Sequence, residues 1–411
     1  MKYYLPGIML CLSGLAAACH ATSPQPATPA QIQHETTAPD ANPAGELKDA
    51  NIESKDAGKD APSIDIKSLP DDAVTPYTHG STNCTTDDFL PLLSDSSGYS
   101  QKWEFFIYTR PYEIRIKFEI SNFAFSKNEG KIKGYVRKYD GDKEVENYPI
   151  SKTLKSGRWK ASRDRLDLDF EDYGLYWKDG AFHIRGVFEK GTFEYDVPAN
   201  FWKPGTGNVY FGNSEQNMFK YNVLTYHKPV SKGVFTIDGS PVEVSGQAYA
   251  NHYATTIAVY DMFDEVADFR KRTDDLLVEF RYYVPSAKYN APPFGFLFVG
   301  ADGENVFESP DIERDSIEKW LDEDNYGYEI DSRQRIRARD GRNSASFLMK
   351  TAEPNPKDPY ADLPAFQRNI ASRFSKPIEY SIPIDWELDL DVDGYRAKIQ
   401  LPGSYTITRL R

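Results

Sequence analysis

"YEIRIKFEI", residues 112–120, alternates without a break. Tyr112, Ile114, Ile116, Phe118 and Ile120 are apolar, and Glu113, Arg115, Lys117 and Glu119 between them are charged. A period of two puts each set on its own side of an extended chain, so the stretch reads as a β-strand with one dry and one wet face. The pattern recurs outward in both directions. "RLDLDF" (165–170) repeats it with Leu166, Leu168 and Phe170, and "AFHIRGVF" (181–188) returns from the turn at Lys178–Gly180 as the second arm of a hairpin. "LLVEFRYYV" (276–284), "FGFLFVGADGENVF" (294–307) and "WELDLDVDGYRAKIQL" (386–401) carry the same signal through the second half. Only "SPDIERDSIEKWLDE" (309–323) reads as a helix, with Ser309 as N-cap, Pro310 in the first turn, and Ile317, Trp320 and Leu321 on one side.

Many short amphipathic strands joined by Gly, Asp and Asn turns predict an all-β chain of antiparallel barrels. Its length favours two domains, placed at 83–245 and 246–411. "RLDLDFEDYG" and "ELDLDVDGYR" echo each other across the halves. Two copies of one fold, each closing its own edges, would account for that echo.

The first residues, "MKYYLPGIMLCLSGLAAAC", place Lys2 ahead of an apolar run that is shorter than the roughly 20 residues of a membrane span. Residues 1–18 read as a signal peptide. Leu15 to Cys19 resembles the bacterial lipoprotein signal, in which the cysteine thiol accepts lipid, although Ala16 stands where that signal usually has leucine. Ordinary cleavage after Ala18 is the alternative. Of the three cysteines, Cys11 leaves with the signal and Cys19 carries lipid, so Cys84 has no disulfide partner.

Residues 19–82 then form a tether rich in Ala, Pro, Thr and Asp, with no aromatic residue before Tyr77. Such a composition cannot offset the entropy of ordering and predicts disorder. The formal charge is −13, which disfavours nucleic acid as a partner. The expected location is the cell envelope. The residue after Cys19 is His20 and not Asp, which directs a lipoprotein to the outer membrane, facing the periplasm.

The run from Phe201 to Tyr253 contains Trp202, Pro204-Gly205, Phe211-Gly212, Phe219, Val230, Gly233, the turn Asp238-Gly239, and then Gly246, Tyr249 and His252. In order and spacing it resembles the family of carotenoid 1,2-hydratase, AttH-like bacterial proteins and the yeast survival factor. That resemblance implies two tandem lipocalin-like β-barrels after the tether. The family closes the run with Tyr-His-Asp-His, where this chain has Tyr249-Ala250-Asn251-His252. Protonating an isolated carbon–carbon double bond needs a positioned acid, and an amide at 251 cannot serve as one. Ala254 also replaces the family's tryptophan.

What remains is a polar group at the domain junction: Trp202, Tyr249, Asn251, His252 and Tyr253. On a strand Tyr249, Asn251 and Tyr253 share one face, while Ala250 and His252 share the other. Three readings stand: Asn251 and His252 tie the barrels together, they contact a ligand, or His252 is an acid–base catalyst. "DLDVDG" (389–394) opens like a calcium loop, but Gln400 falls where the bidentate carboxylate belongs, and the stretch reads better as a strand face ending in a turn. No metal and no cofactor is expected.

The functional expectation is an envelope lipoprotein that binds or shuttles an apolar small molecule, a lipid or isoprenoid, in a lipocalin-like cavity. The alternatives are an enzyme related to the hydratase, acting on a polyene or terpenoid, and an accessory protein of a membrane transporter.

Overall fold

The computed structural model describes residues 32–33, 65–75 and 82–410, apart from 110, 124–125, 199–200, 204–206, 216, 225–230, 273–275, 302–303, 352–353, 362–364, 366–367, 370–371, 373–374 and 394. The expected signal peptide, Cys19 and most of the expected tether lie outside the described residues.

The chain forms two antiparallel sheets. The first is built from β1 (Ser100–Thr109), β2 (Tyr112–Phe123), β3 (Ser126–Asp140), β4 (Lys143–Leu154), β5 (Asp167–Phe170), β6 (Tyr173–Lys178), β7 (Ala181–Phe188), β8 (Gly191–Pro198), β9 (Phe201–Lys203), β10 (Met218–Leu224), β11 (Ser231–Ile237) and β12 (Ser240–Thr255). The second holds β13 (Phe263–Arg272), β14 (Leu276–Pro285), β15 (Phe294–Ala301), β16 (Glu304–Ser309), β17 (Ile312–Asp322), β18 (Tyr328–Asp340), β19 (Asn343–Thr351), β20 (Ile378–Val392) and β21 (Tyr395–Arg409). A single helical turn, α1 (Val259–Met262), separates them.

Both sheets share one connectivity. The first four strands run outward in sequence order, and the first strand pairs with the last: β1 lies beside β12, and β13 beside β21. Each sheet then curls so that its two ends share a core. Tyr148 of β4 meets Phe188 of β7 at 5.5 Å, and in the second sheet β15 and β16 come against β17 and β18. The interiors are lined by the dry faces the alternation predicts, with Ile114, Ile116, Phe118 and Ile120 fully buried in the first barrel. Phe269, Phe280, Phe347 and Trp386 fill the second.

Four details differ from the sequence reading. Residues 309–322 are strand and not helix: β17 pairs along its length with β18, with bulges near Ser316 and Glu318. Tertiary pairing overrides the local helical signal, and Ile317 and Leu321 sit 42% and 50% exposed on the outer face instead of joining Trp320. The charged face of β2 is not wet throughout, because Glu113 and Glu119 are buried and Arg115 is paired with Glu104. The echoing segments occupy non-equivalent places: β5 lies near the far end of one path, with only the short strand Lys160–Ala161 beyond it, and β20 beside the last strand of the other. Finally, β12 spans the division at 245/246 and belongs whole to the first sheet, so the sheets change over at 256–262.

Part of the tether also packs. Residues 65–75 form a strap across both barrels. Thr75 N–H donates to Tyr210 O at 3.0 Å, Gly212 N–H to Ala73 O at 2.7 Å, and Asn290 N–H to Asp72 O at 2.9 Å. Gly212, at φ +75°, is what permits the approach, since a Cβ there would stand 2.8 Å from Asp71 O. The low hydrophobicity that signals disorder is outweighed here by backbone pairing and by Val74, which packs against the aromatic layer below.

Candidate functional site

Strand β12 divides its side chains between two environments. Ala248, Ala250 and His252 point into the first barrel, whereas Tyr249, Asn251 and Tyr253 point outward toward the second. This is the two-faced arrangement that a period of two dictates.

His252 is 1% exposed. Its ring lies 5.2 Å from that of Phe89 and 5.4 Å from that of Trp103. The side-chain amide of Gln101 donates to Leu90 O at 2.8 Å and reaches His252 Nε2 at 3.0 Å, while its oxygen accepts from Leu92 N–H at 2.8 Å. Nε2 is therefore the acceptor and the ring is neutral. Burial holds its pKa well below the usual histidine range, nearby Lys220 lowers it further, and Asp88 opposes both. Gln101 thereby holds the segment at 90–92, whose neighbour Phe89 is buried in the first core, and Trp103 Nε1 adds a bond to Phe89 O at 3.1 Å.

Between the barrels lies a continuous aromatic layer. Phe106, Trp202, Phe211, Phe219, Tyr221, Tyr249 and Tyr253 come from the first, and Phe263, Tyr283, Phe294, Phe296 and Phe298 from the second. Set into this layer is the carboxylate of Glu279, which is 0% exposed. Its Oε1 accepts from Tyr221 OH at 2.7 Å, Arg270 Nη2 at 3.0 Å and Arg281 Nε at 3.1 Å. Its Oε2 accepts from Tyr249 OH and Arg270 Nε, both at 3.0 Å. The guanidinium of Arg270 lies over the Tyr249 ring and that of Arg281 over the Tyr221 ring, each at 4.1 Å. Desolvation would raise the pKa of Glu279, but Arg270 and Arg281 outweigh it and bring it down to about 2. Burial drives both tyrosine hydroxyls well above their ordinary value, so they remain donors.

Trp202 stands over Phe296 and Phe298, with ring centroids 5.1 Å apart in each case. It is 3% exposed, and its Nε1 has no hydrogen-bond partner among the described residues. An unmet buried donor costs about 1–3 kcal/mol.

Of the residues the sequence singled out, Trp202, Tyr249 and Tyr253 lie together in the aromatic layer. Asn251 faces the same way but contacts its own barrel, its amide reaching Glu104 Oε2 at 3.4 Å. His252 lies on the other side of the strand. The reading that Asn251 and His252 join the barrels is thus replaced by a join through Tyr221 and Tyr249. Cys19 lies outside the described residues. Missed altogether were Arg270, Glu279 and Arg281. On their strands they look like the charged residues of any amphipathic face, and only the partner barrel reveals their burial. Also missed was Glu379 on β20, whose carboxyl is pushed up to about 7 by desolvation and then by Asp268. In "DLDVDG", Asp389 pairs with Lys398 and Asp391 with Arg396 across the β20–β21 hairpin.

No protein-family model matches the chain, and no curated protein matches its sequence. Solved structures do match its fold. The chain is similar to AttH-like and hydratase-type proteins of lipocalin-like fold. An AttH-type protein from Nitrosomonas europaea aligns over 82% of this chain and 100% of its own, at 13% identity and a TM-score of 0.45. Kievitone hydratase from Nectria haematococca aligns over 83% and 97%, at 12% identity and a TM-score of 0.43. CghA with Sch210972 aligns over 80% and 98%, at 10% identity and a TM-score of 0.39.

Proposed function

We propose that this protein binds an apolar small molecule, a lipid or isoprenoid, at the junction of its two barrels. The observation that carries the reading is Trp202: a buried N–H donor inside an aromatic layer, with no hydrogen-bond partner among the described residues. Such a donor suits a mostly apolar molecule bearing a hydrogen-bond acceptor. Delivery to the cell envelope through lipid on Cys19, with the protein facing the periplasm from the outer membrane, belongs to the same reading. It rests on the residues around Cys19 and the composition of the tether. Shuttling of the bound molecule, alone or beside a membrane transporter, would follow from that location.

The test is native mass spectrometry of protein purified from its own host. A co-purifying apolar molecule is expected, and Trp202→Phe should reduce its retention about tenfold, the worth of roughly one hydrogen bond. A melting temperature close to wild type would show that the ring's packing survives. Wild-type protein that carries nothing and takes up no apolar probe would sink the reading.

One observation favours the enzyme alternative. Glu379, at about 7, keeps a proton near neutrality, whereas Asn251 is an amide, His252 is neutral and Glu279 is ionised. Turnover of a polyene by wild type, lost in Glu379→Gln with binding intact, would establish it.

A further inference from the structure

The side-chain amide of Gln101 makes four bonds at once. Its Nε2 donates to Leu90 O at 2.8 Å and to His252 Nε2 at 3.0 Å, and its Oε1 accepts from Leu92 N–H at 2.8 Å and from Tyr99 OH at 3.1 Å. Both hydrogens and both lone pairs are committed, so the amide has one orientation. Leu93 N–H donates in turn to Tyr99 OH at 3.3 Å. Leu93 stands at φ +46°, a left-handed backbone that is uncommon for a leucine and is held there by its surroundings. The stretch 89–93 is thus an arch between two anchors. On one side Asp88 is held by Lys203 and Lys220 at 2.9 and 3.3 Å, and on the other Asn122 Nδ2 donates to Ser94 O at 2.9 Å. The ring of Phe89 fills a slot 5.0 Å from that of Phe182, 5.2 Å from that of His252 and 6.4 Å from that of Trp177.

This amide cannot accommodate a proton on His252 Nε2. Left as it is, Gln101 would set one donor against another. Turned over, its oxygen would accept from the ring but would face Leu90 O, while its nitrogen would face Leu92 N–H, and two backbone bonds would be lost. We propose that protonation of His252 unlatches the arch, frees Leu93 from its left-handed backbone and lifts Phe89 from its slot, so that acid opens an aromatic-lined recess in the first barrel. Burial of the ring opposes the proton most, Lys220 on β10 opposes it too, and Asp88 at the anchor favours it. The proton therefore enters chiefly when the arch is open. Burial pushes the Tyr99 hydroxyl well above its ordinary value, so that it stays a donor throughout. Because His252 faces the first barrel and not the aromatic layer, the latch is independent of a ligand at the junction.

Hydrogen exchange of the full chain between pH 7 and pH 5, read as protection relative to the intrinsic rate, tests the proposal, since Leu92 and Leu93 donate their amides to the latch itself. At pH 7 their protection is expected to lie at least about tenfold below that of Ile116 in the middle of β2, the mark of a local opening. Below pH 6.5 it should fall by up to about tenfold per pH unit, because the open arch takes the proton first. In His252→Gln, whose amide can still accept from Gln101, that dependence should vanish. Gln101→Ala should leave both amides unprotected at every pH. A pH dependence that survives in His252→Gln would overturn the proposal. Should either variant fail to fold, the wild-type profile decides. Protection of Leu92 and Leu93 that is flat with pH, or equal to that of Ile116 throughout, would mean that the arch leaves only when the whole protein unfolds.

Discussion

The hydroxyl of Tyr249 in the first barrel donates to Glu279 Oε2 in the second at 3.0 Å, inside a layer from which water is excluded. With Tyr221 doing the same for Oε1, the barrels are joined by a charge-assisted pair that no surface contact could imitate. Tyr249→Phe is expected to destabilise by about 1–3 kcal/mol. In a double-mutant cycle with Glu279→Gln, it should show coupling of about 0.5–3 kcal/mol. Additive effects in chemical denaturation would refute the link.

Glu279 makes stability depend on acid. Its pKa is about 2 in the folded protein against an ordinary 4.5, so the unfolded chain binds the proton first as pH falls. The stabilisation is present above about 4.5 and is lost as pH drops toward 2, on the order of 3 kcal/mol in all. Denaturation of wild type and Glu279→Gln from pH 6 to pH 2 should converge at the acid end, and parallel curves would contradict the assignment.

His252 acts in a higher window. Folded, its pKa lies well below 6.5 because of burial and Lys220, so the unfolded state again takes the proton first. Stability should therefore decline as pH falls below about 6.5, by up to roughly 1.4 kcal/mol per pH unit. His252→Gln, which can still accept from Gln101, should flatten that slope. If the slope is unchanged, the ring is not the titrating group.

Alternation was readable in the sequence because it is local: the pleat alone decides that Ile114 and Phe118 face one way and Arg115 the other. Burial of the second face is not local. Glu279 and Arg281 alternate with Val278 and Phe280 in "LLVEFRYYV" as on any half-wet strand, and what covers them is Tyr221 and Tyr249, brought over by the docking of the other barrel. The helical reading of 309–323 failed for the same reason. Its spacing of Ile317, Trp320 and Leu321 fits a helix, but closing the second sheet requires a strand there to pair with β18.

The strap offers a test of the tether. A chain beginning at Tyr77 lacks the bonds of Asp72, Ala73 and Thr75 to Asn290, Gly212 and Tyr210. It should melt several degrees below one beginning at Asp65, since each bond is worth about 0.5–1.5 kcal/mol. Identical melting would mean that the strap contributes nothing.

Replacing Cys19 with alanine should move the protein from the membrane to the soluble fraction on cell fractionation. Unchanged membrane association would exclude lipid on that residue as the anchor.

The pairing of first strand with last has a kinetic side. Ser100 is partnered with Thr255, and Phe269 with Tyr405, so neither sheet can close until the final strand of its own half has been synthesised. Loop closure over such separations comes late and slowly. Until then β1 and β13 each present an open edge, and because the two halves share one connectivity, each could accept the other's closing strand. Misfolding of this chain should therefore take the form of strand exchange, between its halves or between copies, more than of collapse within either barrel.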